Sequence, residues 1–183
     1  MTAIARISTH HEPVGARDIA RHYMRDLVYG ANDGLITTFA VVAGVAGGAL
    51  SARAVLIVGA ANLVADGLSM GVGNYLGIRS HESARAAQGL HEEEASPARH
   101  GVATFMAFVC AGAIPLLPYL MPWGGSAQFS AALTFIALFV VGSLRSLVTI
   151  DRWWIAGLEM FGLGALVAVA AYLSGAVVGA ILR

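Results

Sequence analysis

Asn62, Asp66, Met70 and Asn74 recur every four residues in the stretch Ala54 to Ile78, where Asp66 is the single formal charge. On an α-helix that spacing holds the four side chains in one slowly drifting stripe. Carboxylate and amide oxygens suit hard cations such as Mg2+, Ca2+ and Mn2+, whereas a thioether favours softer first-row ions. The mixed set points to Fe2+ or Mn2+, with some discrimination against Mg2+ and Ca2+. Methionine is more often filler in an apolar helix, and Met106, Met121 and Met160 need no other role. Met70 differs because it stands one turn from Asp66 and one turn from Asn74. Gly59, Gly73 and Gly77 fall on the same face and admit a close neighbour. Asp33 supplies a second carboxylate in the preceding apolar stretch, with Gly30, Thr37, Ala40, Gly44 and Gly48 on its face. Gly44 and Gly48 also have the small-xxx-small spacing of closely packed membrane helices. These glycines read first as packing surfaces, a role compatible with an ion path between two helices.

Other clusters carry weaker signals. His81, Glu82, Glu92 and Glu93 could collect metal at the mouth of such a path, as could His10, His11 and Glu12. None has diagnostic ligand spacing, and a solvated charge run explains them more simply. Glu159, close to Arg152, Trp153 and Trp154, reads as an interfacial residue. No nucleophile–base arrangement, phosphate loop or nucleic-acid patch is present, so the chain is not expected to be an enzyme or to bind nucleic acid. Gly71-Val72-Gly73 lies inside a helix with nothing strand-like before it, which excludes a nucleotide loop.

The elements that must position these residues are membrane helices. The 183 residues are 57% hydrophobic and only 12% charged, about half the charged fraction of a soluble domain. An acid in such a span is costly and is normally paired, turned to a cavity, or functional. The spans contain no basic residue to pair with Asp66. Five spans are expected, about 27–50, 54–78, 101–121, 127–144 and 155–182, after an N-terminal segment 1–26 that includes Arg17, Arg21 and Arg25 beside Asp18, His22 and Asp26. The break at Ser51-Ala52-Arg53 makes the first two spans antiparallel neighbours. Residues 79–100 form the long polar connection, and the second helix is expected to continue into it, ending near Gly89. Trp123, Trp153 and Trp154 are expected as interfacial anchors. The polar N-terminus has no apolar signal-peptide core, and the lone Cys110 excludes an intrachain disulfide. All eleven basic residues are arginine. With the N-terminus in the cytosol, nine face inward, and only Arg53 and Arg183 face outward, which predicts N-in, C-out.

Two stretches carry a family resemblance: Asp33-Gly34-Leu35-Ile36-Thr37-Thr38-Phe39-Ala40 with Ala43-Gly44, and Ala65-Asp66-Gly67-Leu68-Ser69-Met70-Gly71-Val72-Gly73-Asn74-Tyr75-Leu76. Together with Gly157-Leu158-Glu159-Met160, they make the chain similar to the vacuolar iron transporters, over about residues 20–182. The resemblance implies an all-α, five-span homodimer that moves Fe2+, often Mn2+, out of the cytosol against protons. It also implies an ion path at the dimer interface, lined by the first two helices of each subunit. Asp33 and Met70 match the family's pathway acid and methionine. Two departures stand out. Asn62 occupies the place of a glutamate, so Asp66 must serve as the nearest acid. The connection 79–100 is too short for the helical metal-binding domain of the vacuolar members, so the chain resembles the short, nodulin-like and bacterial branch. The implied partners are the lipid bilayer, a second copy, divalent ions and protons, with metal as substrate and no resident cofactor. The short chain without sorting signals points to a bacterial inner membrane. The alternatives are transport of Mn2+ alone, Co2+ or Ni2+, and a non-transporting membrane assembly module.

Overall fold

The computed structural model describes residues 15–91, 93–94, 96–121, 126–147 and 149–182, except for the side chains of residues 16, 17 and 20. Five α-helices follow one another: α1 (Ala16–Gly47), α2 (Ala52–Ala87), α3 (Pro97–Gly112), α4 (Ala127–Arg145) and α5 (Trp153–Ile181). A 3₁₀ segment, Ile114–Leu120, follows α3, and there is no strand among the described residues. α1, α2, α4 and α5 are each long and apolar enough to cross a membrane, and α3 with the 3₁₀ segment makes a fifth span bent by 41°. α1 runs unbroken from the polar lead-in into the first span. α2 ends at Ala87, where Gly89 adopts φ 73°. The amide of Leu90 then reaches back to the Arg85 carbonyl at 3.0 Å, closing the last turn. Trp153 and Trp154 are exposed at the start of α5, and Trp123 lies outside the described residues.

The bend in the third span follows from its prolines. Proline has no N–H and its ring obstructs the preceding turn. In a 3₁₀ segment the Pro115 carbonyl would accept from residue 118, but that residue is proline as well. The buried Ser130 of α4 donates its hydroxyl to this carbonyl at 2.7 Å instead. Ser130→Ala should therefore leave a buried carbonyl unpaired and destabilise the fold by about 1–3 kcal/mol. A lower melting temperature in detergent is the expected reading, and an unchanged one would mean the carbonyl has another partner.

The packing is inverted relative to a soluble protein. Val64, Leu68, Val72 and Leu76 of α2 and Leu166, Val169 and Leu173 of α5 point outward, whereas Thr38, Thr104, Ser130 and Thr134 are buried. Lipid tails are as apolar as leucine, so membrane helices associate through close packing of small residues rather than by hiding large ones. α1 is the central helix and touches all the others. Its main partner is α3 rather than α2, its neighbour along the chain. The reason is glycine. A Cβ on Gly30 would strike the Thr104 carbonyl of α3, and one on Gly34 would strike that of Phe108. α2 meets α3 in the same way, with Gly71 and Gly101 back to back; a Cβ on Gly101 would lie 2.6 Å from the Gly71 carbonyl. On the other side of α1, Gly44 lies so close to α5 that a Cβ on Gly175 would meet its carbonyl. Phe39, Val42, Val55, Leu63, Phe108 and Leu116 fill the space between.

Candidate functional site

The geometry of the site starts from one side chain. Asn74 of α2 donates from Nδ2 to Asp26 Oδ1 of α1 at 2.8 Å and to Thr104 Oγ1 of α3 at 2.8 Å. Three helices are thereby tied at one level, near the end of the bundle where α1 begins. From this tie, Asp33 lies seven residues along α1 and Asp66 eight residues back along α2. At 1.5 Å per residue both carboxylates sit about 10–12 Å from it, at matching depth in an antiparallel pair. Both are half-buried, as are Asn62 and Met70. Thr37 turns its hydroxyl to the Asp33 backbone carbonyl at 2.8 Å, leaving the Asp33 carboxylate uncommitted to it.

A cavity of about 560 Å³ opens beside the tie. Met70, Gly73, Asn74 and Gly77 of α2 form one wall, and His81, Glu93 and Glu94 stand at its edge. The four-residue spacing thus brings Met70 and Asn74 to the same space. Asp33, Asn62 and Asp66 do not line this cavity; they lie deeper along the same pair of helices. With both amide protons committed, the carbonyl oxygen is the only donor atom Asn74 can offer a cation.

The glycines divide into two groups. Gly30, Gly44, Gly48 and Gly59 face other helices of the chain: Gly30 meets α3, Gly44 and Gly48 meet α5, and Gly59 meets the Leu116 side chain. Gly73 and Gly77, grouped with them on sequence, have nothing within 4 Å and border the cavity instead. Their face of α2 turns away from α3, which is held through Gly71, two residues before Gly73 and so about 200° round the helix.

The suggested entry cluster also separates. Glu82 is buried, and its carboxylate accepts from the amides of Glu93 and Glu94 at 3.2–3.3 Å. It positions the link between α2 and α3 rather than facing solvent. Glu93 pairs with Arg85 at 2.7 Å and lies 3.7 Å from His81 Nε2. Glu92 lies outside the described residues, as do His10, His11 and Glu12. Glu159 accepts from Arg145 at 2.6 Å, at the exposed start of α5. Sequence reasoning passed over Asp26 and His100. Both are 2% exposed, and His100 Nδ1 lies 2.5 Å from Asp26 Oδ2. The available signals were the four-residue step from His22 to Asp26 and the position of His100 in the first turn of an apolar helix.

Comparison with known proteins agrees with this architecture. The model of the VIT family matches residues 24–94 and 81–176, covering most of the chain. The chain belongs to the VIT family. It is similar to vacuolar iron transporter homolog 1 of Oryza sativa subsp. japonica, 31% identical over 140 residues, covering 68% of this chain and 60% of that protein. It is 25% identical over 229 residues to vacuolar iron transporter 1 of the same plant, covering 90% of this chain and 88% of that one. A Toxoplasma gondii vacuolar iron transporter is 42% identical over 71 residues, covering 39% of this chain and 24% of that protein. The chain thus spans a quarter to three fifths of the length of two of these relatives. As a VIT family member with four to five candidate spans, it is a multi-pass integral membrane protein.

Proposed function

We propose that this VIT family protein exports Fe2+ or Mn2+ from the cytosol in exchange for protons, as a two-fold homodimer in a bacterial inner membrane. The observation that carries the reading is the shared cavity wall of Met70 and Asn74, with the half-buried Asp33 and Asp66 farther along the same two helices. A thioether and an amide carbonyl above two carboxylates grade from soft to hard donors along one path. Two acids at matching depth also suit proton exchange, because binding a divalent ion favours release of their protons. The arginine bias supports a cytosolic N-terminus, which would set the cavity at the cytosolic mouth. Gly73 and Gly77, open in the single chain, leave room for the α2 of a second copy. Dimerisation would double the stripe and bring two copies each of Asp66 and Met70 to one path. The relatives' names speak of iron, which the ligand set here also accommodates.

The test is uptake of Fe2+ into proteoliposomes under reducing conditions. Met70→Ala should lower uptake about tenfold or more, the scale of disturbing a metal's ligand shell, while leaving the protein's elution and melting unchanged. Competition with Mn2+, Co2+ and Ni2+ in the same assay identifies the preferred ion. Uptake by Met70→Ala equal to wild type would refute the path and favour a non-transporting assembly module.

A further inference from the structure

We propose that His22, Glu94 and His100 form a separate binding site for one first-row divalent transition-metal ion, with Asp26 as its supporting carboxylate. His22 comes from α1, His100 from the first turn of α3, and Glu94 from the link that precedes α3. Their ligand atoms converge: His100 Nε2 is 2.9 Å from Glu94 Oε2, His22 Nε2 is 3.4 Å from the same oxygen, and all three lie within 4.8 Å of one another.

The protons of His100 explain why the cluster calls for a cation. Asp26 Oδ2 sits 2.5 Å from His100 Nδ1, and both side chains are 2% exposed. A carboxylate can only accept, so Nδ1 carries the hydrogen. In a neutral imidazole, Nε2 is then a bare lone pair. Here it points at a carboxylate oxygen, acceptor against acceptor. Either a second proton or a metal ion relieves that conflict, and the surroundings are built for the metal. A histidine that donates its far nitrogen to a carboxylate while its near nitrogen faces the ligand cluster is the usual support of a metal site. Asp26 is itself held by Asn74. Glu94 is held by its main-chain bond to the buried Glu82. His22 and Glu94 are partly exposed, and the His22 ring lies 4.9 Å from that of His100.

Two imidazoles and one carboxylate leave further coordination positions open, as in non-haem Fe2+ sites, and imidazole disfavours Mg2+ and Ca2+. This inference goes beyond the transport reading and does not depend on it, since the site would load metal in a chain that transports nothing. Glu94 nevertheless borders the cavity whose wall carries Met70, so an ion held here would stand at its entrance.

The test is Co2+ titration of the purified full-length chain in detergent, followed by visible absorption and calorimetry. One Co2+ should bind, undisturbed by excess Mg2+. His22→Ala and Glu94→Gln should each raise the Kd at least tenfold, and Asp26→Asn about 10–100-fold. Met70→Ala should leave this binding within twofold of wild type, so failure of the α2 path and failure of this site give different results. His22 and Glu94 are partly exposed, which keeps those variants folded, and their melting is measured alongside. Absence of Co2+ binding up to millimolar concentrations, or an unchanged Kd in both His22→Ala and Glu94→Gln, would overturn the site. His100 would then be an imidazolium bridging two carboxylates.

Discussion

Gly34→Ala should yield little folded protein. A Cβ there would fall on the carbonyl oxygen of Phe108, and the Phe108 Cα would lie only 3.0 Å away. Both obstacles are main chain in the middle of a helix and have no rotamer to change. α1 and α3 would have to separate along their whole seam, which also carries the Gly30 contact. Overpacking of this kind typically costs about 1–3 kcal/mol, and more where the neighbour is rigid. Gly59→Ala gives an internal comparison. Its obstacle is the Leu116 side chain, with Cδ2 at 2.6 Å, and a leucine terminus can turn aside. Gly162→Ala is the control, because nothing lies within 4 Å of it on α5 and alanine is the better helix former by about 1 kcal/mol. Fluorescence-detected size exclusion and melting in detergent should rank Gly162→Ala at or above wild type, Gly59→Ala below it, and Gly34→Ala last. A Gly34→Ala chain as stable as Gly162→Ala would refute the backbone-to-backbone seam.

Asp26→Ala should have the second-largest effect, through polarity rather than volume. Its carboxylate meets Asn74 Nδ2 at 2.8 Å, His100 Nδ1 at 2.5 Å and Arg25 at 3.4 Å, and only the arginine is exposed. Removing the acid strands the buried His100 donor and the half-buried Asn74 donor, and breaking a buried pair from one side costs about 3–5 kcal/mol. Asp26→Asn keeps an oxygen for Asn74 but sets an amide against His100 or Asn74, so an intermediate loss is expected. The sharper measurement is a cycle with Asn74→Ala. Because the two side chains share one bond, the double variant should lose clearly less stability than the sum of the singles. Additive losses would mean that Asn74 is held by Thr104 alone.

The helices, the lipid-facing surface and the proline break could be read from local pattern: apolar runs, a glycine after α2, and two prolines three residues apart. The four-residue step that placed Met70 and Asn74 on one face is equally local. Partners distant along the chain were harder to read. The short link 48–51 suggested that α1 and α2 pair directly, yet α3 takes the larger share of each because its backbone can reach the glycines of both. Gly34 and Gly71 face α3 while Gly73 faces a cavity, and composition does not separate them. Asp26 and His100 are 74 residues apart, and no period connects them. Glu82 looked like one more acid in a solvated run, since its acceptors' partners are main-chain amides that every residue possesses.

The Asn74–Asp26 bond has a mechanical consequence. α1 and α2 are joined covalently at one end through residues 48–51 and clamped at the other by this bond. The pair therefore behaves as a closed frame, with Asp33, Asp66 and Met70 along its sides. A closed frame resists hinging apart at either end. Splaying the two helices would require the clamp to release first. The frame thus keeps the two acid-bearing helix segments in one register for as long as the Asn74–Asp26 bond holds.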